Sequence, residues 1–251
     1  KFSQYLLDSD KYYRSTYTFG VSTATGDSEG DIISQQDASN ITKNQVEQAI
    51  KSFQGEIDQV PSMYSALKHN GQPLYKLARQ GIEIDRPARQ ITIFNYKIID
   101  FRSGVHPQVD VEVHCSKGTY IRTLAEDLGT ALGCGAHVSA LHRFKAGPFD
   151  EQQTITLDEL EKLRDQGTVE QLDQLLKPVD TPVLDYPAVE FDQIMAGYFQ
   201  LGQSITLNKA FRQGQEGDIV RVFREDGAFL GIGTVTEDGK IAPKRLIVEN
   251  A

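Results

Sequence analysis

Between residues 109 and 115, apolar and polar positions alternate without exception: Val109, Val111, Val113 and Cys115 against Asp110, Glu112 and His114. A period of two predicts a strand with one face in a core. A polar turn follows at residues 116–118. The period then lengthens, so that Ile121, Leu124, Ala125, Leu128 and Leu132 share one helical stripe. Thr119 is the expected N-cap, and Gly129 and Gly133 are the expected stop signals. The stretch reads as strand, tight turn, helix.

The same two periods recur along the chain. Residues 1–10 read as a short helix. Residues 12–21 read as a strand with Tyr13, Ser15, Tyr17, Phe19 and Val21 on one face. Val46, Ala49, Ile50 and Phe53 place a helix over residues 42–53 with Thr42 as its cap. Beyond Pro61, residues 63–68 read as a strand, His69-Asn70-Gly71-Gln72 as a hairpin turn, and residues 74–80 as a helix ended by Gly81. Ile91, Ile93, Tyr96 and Ile98 mark a strand over residues 90–100. Residues 133–143 run from a glycine-rich turn into a short strand, with Arg143 and Lys145 beyond it. Residues 149–185 are mostly helical and end in a proline-bearing break at Pro178 and Pro182, the expected domain boundary. Short strands at residues 219–224, 228–235 and 246–249, with turns at Asp226-Gly227 and Asp238-Gly239, read as a small β-barrel. The fold class is therefore α+β, with several strands feeding one sheet and no regular βα repeat.

Composition adds bounds. The chain has 251 residues, 39% hydrophobic and 24% charged, which is ordinary for a soluble globular protein of one or two domains. It has no run of about 18 apolar residues and no basic segment leading an apolar one, so neither a membrane span nor a signal peptide is expected. Two cysteines, Cys115 and Cys134, make no disulfide framework and suit the cytoplasm. Cys134-Gly-Ala-His137 has metal-like spacing but no second pair, and no metal is assigned. The chain starts at Lys1, directly on an amphipathic pattern, and is expected to be cut from something longer.

The net charge of −9 argues against a nucleic-acid partner until its distribution is considered. Residues 149–192 hold 12 acidic and 3 basic residues, so the remainder sums to zero. Within that remainder, residues 61–97 carry six Lys or Arg against two acids. The segment interleaves Tyr64, Lys68, His69, Tyr75, Lys76 and Arg79, which suits stacking on bases and neutralising phosphates, or else forms a plain charged surface. Arg122 falls in the first turn of its helix, where the backbone dipole disfavours a cation by up to about 1 kcal/mol unless an anion faces it. It is either paired with an anion or a solvated surface arginine. Tyr13 is either a core tyrosine with a satisfied hydroxyl or part of a site. The polar loop at residues 23–31 lacks EF-hand spacing and reads as solvated or as a contact to bases or hydroxyls.

Four blocks, read together, closely resemble the TruB family of tRNA pseudouridine synthases: residues 1–8 with Lys11-Tyr-Tyr-Arg14, Val60-Pro-Ser-Met-Tyr-Ser-Ala-Leu-Lys68, Ser116-Lys-Gly-Thr-Tyr-Ile-Arg122 and Gly133-Cys-Gly-Ala-His137. The resemblance covers essentially the whole chain. It implies a mixed, largely antiparallel central sheet flanked by helices (the pseudouridine synthase fold) in a catalytic domain over residues 1–180, and a PUA-like RNA-binding barrel over residues 186–251. It implies conversion of the T-loop uridine of tRNA, position 55, to pseudouridine, with no cofactor or metal. By position, Tyr13 matches the tyrosine that stacks on the flipped uracil and assists proton removal, and Tyr120 and Leu141 match pocket-lining residues. Arg122 matches the arginine that pairs with the catalytic aspartate, Lys68 is by its position in the motif an RNA or phosphate contact, and Asp27 a contact to the RNA loop. One element departs from the family pattern: the glycine-flanked Leu-Asp-Pro motif bearing the nucleophilic aspartate does not occur in this sequence. The partner implied is a tRNA T-stem-loop, read by a monomer; the segment that would carry the missing motif is either absent from this chain or a separate N-terminal peptide completing the domain. The alternative is a non-catalytic RNA-binding fragment.

Overall fold

The computed structural model describes residues 2–206 and 215–247. Its contacts divide the chain into two compact units, residues 8–146 and the residues before 8 together with those after 146. The change of unit near 146 lies upstream of the proline-bearing break at 178–182. In chain order the first elements are α1 (Gln4–Asp8), β1 (Lys11–Phe19), β2 (Val21–Thr23), β3 (Ile32–Gln35), α2 (Lys43–Lys51) and β4 (Gly55–Gln59). A hairpin of β5 (Lys68–His69) and β6 (Gln72–Pro73), α3 (Leu74–Ala78), β7 (Arg89–Arg102), β8 (Gln108–Cys115), α4 (Ile121–Ala131) and β9 (Ala136–Ala146) follow.

In the 8–146 unit the sheet order is β9-β1-β8-β7-β4, every neighbour antiparallel. The alternation in β8 does what it predicts: Val109, Val111, Val113 and Cys115 are at most 1% exposed. Their register partners on β1, Tyr17, Ser15, Tyr13 and Lys11, extend that face. Leu124, Ala125 and Leu128 of α4 and Val46 and Ile50 of α2 close the core over it. Burying each leucine contributes about 2–3 kcal/mol.

Several local expectations are corrected. Gly129 does not stop α4 but lies inside it: a Cβ there would sit 2.3 Å from the amide nitrogen of Ala136, so glycine permits the helix to touch the start of β9. The stop is Gly133, at φ +74°. Thr119 is not the cap. Its hydroxyl donates to the Ser116 carbonyl at 2.9 Å, and Tyr120 occupies the N-cap position without a side-chain bond. Residues 63–67 form no strand. The first-turn amides of α3 take their carbonyls instead, Leu74 N–H donating to Leu67 at 2.7 Å and Tyr75 N–H to Ser65 at 3.1 Å. The hairpin turn is as read, with Asn70 and Gly71 both at positive φ, as a type I′ turn requires. Arg143 and Lys145 lie within β9 rather than beyond it.

In the second unit Phe2 is 2% exposed and packs with Val183 and Ile232. β10 (Phe149–Asp150), α5 (Leu157–Gln166) and α6 (Val169–Asp173) lead into it, and neither of these two helices buries a residue. Then come β11 (Ala188–Phe191), α7 (Gln193–Gln200), β12 (Ile205–Thr206), β13 (Ile219–Arg224), β14 (Phe229–Val235) and β15 (Lys240–Leu246), in sheet order β11-β13-β14-β15-β12. Phe191 and Phe199 meet edge to face at 5.2 Å in its core. The third strand begins at Lys240, not at residue 246, and residues 248–249 of the expected strand lie outside the described residues.

Candidate active site

Arg122 does have an anionic partner, and it is Asp27. Its Nη1 donates to Asp27 Oδ2 at 2.8 Å and to the Thr25 carbonyl at 3.2 Å, and its Nη2 donates to the Tyr64 carbonyl at 2.7 Å. Both side chains of the ion pair are about a quarter exposed. The unfavourable placement of a cation in the first turn of α4 is thereby offset by a charge-assisted bond and two backbone acceptors. One guanidinium thus joins the polar loop to the segment around Tyr64.

Asp27 is held from its other side too. Ser28 N–H donates to the Val138 carbonyl at 3.1 Å and Val138 N–H to the Gly26 carbonyl at 3.0 Å, which pins the loop on β9. The Asp27 Oδ1 accepts from the Thr25 hydroxyl and from Glu29 N–H at 3.2 Å. Burial alone would raise this carboxyl, but the Thr25 hydroxyl and Arg122 outweigh it and hold it below the usual carboxylate range. With both oxygens engaged, Asp27 is a fixed anion that orients Arg122.

Two clefts open beside this pair. One, of about 450 Å³, is lined by Asp27, Arg122, Tyr64, Tyr75 and Arg79 among others, and the Arg79 guanidinium lies 5.5 Å from the Tyr75 ring centroid. The basic-aromatic segment therefore does deliver Tyr64, Tyr75 and Arg79 to Arg122. The other, of about 460 Å³, joins Asp27 and Arg122 to Leu141, which is 47% exposed although apolar. Tyr13, Tyr120 and Lys68 line neither cleft.

Tyr13 shares a sheet face with Leu141, because on β1 and β9 Tyr13 pairs with Arg143 and Ser15 with Leu141. It is half-buried, and burial raises its phenol above the ordinary range, opposed by a hydrogen bond from Arg143. The hydroxyl is therefore protonated at neutral pH. Tyr120 is fixed through its backbone: the Gln59 carboxamide accepts from its N–H at 2.8 Å and donates to its carbonyl at 3.1 Å. Gln59 is 2% exposed, and nothing in its sequence surroundings signals this role. Lys68 is exposed on the hairpin. Burial pushes the Cys115 thiol up to about 11, which keeps it protonated. The His137 ring engages the Val21 carbonyl at 2.9 Å, and the described residues contain no cluster of three or more metal-ligating side chains.

Comparison with known proteins follows the same lines. The family model described as TruB family pseudouridylate synthase (N terminal domain) matches residues 1–121. The model described as tRNA pseudouridylate synthase B C-terminal domain matches residues 122–184, and that described as Pseudouridine synthase II TruB, C-terminal, matches residues 187–247. A protein of Saccharophagus degradans named tRNA pseudouridine synthase B is 51% identical over 250 residues, covering 100% of this chain and 80% of that protein. One of the same name from Pseudomonas aeruginosa is 48% identical over 247 residues, covering 98% of this chain and 79% of its own length. Among solved structures, one of a Cbf5-Nop10-Gar1 complex superposes with a TM-score of 0.69 at 22% identity, over 98% of this chain and 68% of that one. At that identity the likeness concerns the fold.

Proposed function

Because the chain belongs to the TruB family of pseudouridylate synthases, we propose that it acts on tRNA, isomerising the T-loop uridine at position 55 to pseudouridine. The reaction breaks the N-glycosidic bond, turns the uracil and joins its C5 to the ribose. The C5 proton leaves and N1 gains one, so the product is an isomer and no oxidant or cofactor is consumed. The observation that carries this reading is Arg122, paired with Asp27 and exposed to two clefts that hold Tyr64, Tyr75, Arg79 and Leu141. Arg79 and the aromatic rings suit phosphates and bases, and Leu141 suits the apolar face of an extruded uracil. Tyr13 stacks on that uracil from the sheet face it shares with Leu141; because its hydroxyl is protonated, it assists removal of the C5 proton by hydrogen bonding and relay rather than as the base itself. Tyr120 encloses the base, and Lys68 contacts the RNA backbone.

Arg122 presents its cation where a nucleophilic carboxylate needs to be held ionised. Asp27 has both oxygens engaged and is not the nucleophile; the resemblance to the family assigns that role to the aspartate of a glycine-flanked Leu-Asp-Pro motif, which does not occur in this sequence. Residues 186–251 form an RNA-binding domain, and the enzyme is a cytoplasmic monomer. No described helix is long and apolar enough to cross a membrane. Relatives named as synthases match along the entire chain, so a purely non-catalytic RNA-binding role is not favoured.

The test is tritium release from a T-stem-loop RNA labelled at uracil C5. The chain alone is expected to release little, and the chain with a peptide bearing the glycine-flanked Leu-Asp-Pro motif to release tritium catalytically. Binding of the RNA without release in the presence of that peptide, at any concentration, would overturn the catalytic reading.

A further inference from the structure

Arg143 stands beside Tyr13 only because β9 is irregular. Lys11 pairs with Ala146 and Tyr12 with Lys145, so an unbroken antiparallel register would set Phe144 opposite Tyr13; β9 instead slips by one residue there, and Arg143 takes the place. It slips again at Ser139, so that Leu141 falls opposite Ser15. The segment holding Leu141 and Arg143 is thus bracketed by two bulges, and a bulge re-aims the side chains next to it. Leu141 and Arg143 turn to the Tyr13 face. Phe144 and Lys145 stay on the other, where the Arg14 guanidinium lies 4.3 Å from the Phe144 ring centroid and the Lys145 ammonium 5.0 Å from that of Tyr12. Arg143 is exposed, and among the described residues no carboxylate pairs with it. Its guanidinium donates to the Tyr13 phenol instead.

We propose that Arg143 is a positioning residue for Tyr13, holding the phenol oxygen as an acceptor so that its O–H is offered on the face shared with Leu141. The inference rests on the part proposed above for Tyr13 in the reaction. Arginine has donors and no acceptor, so the bond runs one way, from a guanidinium N–H to the phenol oxygen. The hydroxyl hydrogen is kept off the Arg143 side and remains available for the relay. Whenever that oxygen gains negative charge as a proton passes, the bond gains a second charged partner and strengthens. The surroundings of Tyr13 otherwise oppose this: burial and the Cys115 thiol on β8 raise its phenol, and Arg143 on β9 lowers it. The Lys11 ammonium, on the same face of β1, is held by the Ser9 carbonyl.

Difluorotyrosine placed at position 13 of the chain titrates at a pH where the fold survives, and its fluorine resonance reports the phenol directly. Arg143→Gln should move the midpoint up by about one pH unit, and Arg143→Lys by less. Lys145→Gln, which removes a cation from the opposite face, should leave it in place. In the complete enzyme, Arg143→Gln should lower kcat for tritium release about tenfold or more while the Kd for tRNA stays within about twofold, and Arg143→Lys should restore part of the loss. If Arg143→Gln folds poorly, Arg143→Lys carries both measurements. The fluorine titration needs no catalysis, which separates the two readings: an Arg143-dependent midpoint together with full turnover in Tyr13→Phe would refute the part given to Tyr13 but not the hold of Arg143 on its phenol. The proposal is overturned if the midpoint ignores Arg143 or if Lys145→Gln moves it as far. It is overturned equally if Arg143→Gln weakens tRNA binding tenfold or so with normal kcat, which would make Arg143 a contact to the RNA backbone.

Discussion

Replacing Asp27 with asparagine keeps its shape and its bond from Thr25 but removes the charge facing Arg122 across 2.8 Å. A bond between charged partners contributes about 1.5–3 kcal/mol against about 0.5–1.5 for a neutral one. Because both side chains are about a quarter exposed, solvent screening trims the difference to about 1 kcal/mol. For a chain of this size that lowers the melting temperature by about 2–4 °C. The pH dependence is the sharper test. Asp27 has a carboxyl held below the usual range in the folded chain, so its stabilisation is fully present above the unfolded value of about 3.9 and is lost as pH falls through the folded value. Calorimetric melting of wild type and Asp27→Asn should therefore differ at pH 7 and converge as the pH drops below about 4. A difference that persists unchanged into that acid range, or an asparagine variant that melts higher at pH 7, would refute the assignment of Asp27 as the anion that holds Arg122.

Tyr13→Phe in the complete enzyme is expected to abolish pseudouridine formation while tRNA binding, measured by filter retention, stays near wild type; lost binding with normal turnover at saturating RNA would remove the role assigned to Tyr13. Gly129→Ala drives a methyl against the Ala136 amide and should destabilise the chain by about 1–3 kcal/mol, visible in urea melts as a lower midpoint. Gln59→Ala strands the N–H and carbonyl of Tyr120, at about 1–3 kcal/mol for a buried unsatisfied group; amide exchange at Tyr120 should accelerate, and unchanged exchange would argue that water replaces the carboxamide.

The amphipathic elements were legible because their environment is written in their own period. β8 buries alternate residues and α4 buries its stripe, whatever else surrounds them. Local pattern misleads where a distant partner decides the outcome. Gly129 looks like a helix terminator until β9 is brought against it, and residues 63–67 look extended until the amides of α3 capture their carbonyls. The start of β15 is not legible in its sequence because Pro243, Lys244 and Arg245 interrupt its alternation. Its pairing with β14 supplies the register that its sequence does not.

The site shows the same division. A cation in the first turn of a helix demands an anion, and that much is local; the identity of the anion is not, since Asp27 lies 95 positions away and reaches Arg122 only because Gly26 and Ser28 bond the Val138 backbone. Thr25, Asp27 and Tyr64 all hang on one guanidinium, so Arg122 sets the spacing between the polar loop and the Tyr64 segment, which together wall the cleft beside it. A lysine would keep the charge but offers a single ammonium in place of a planar fork, and it cannot hold an acceptor on each wall in fixed geometry. Arginine at position 122 is therefore required by the shape of the cleft as well as by its charge.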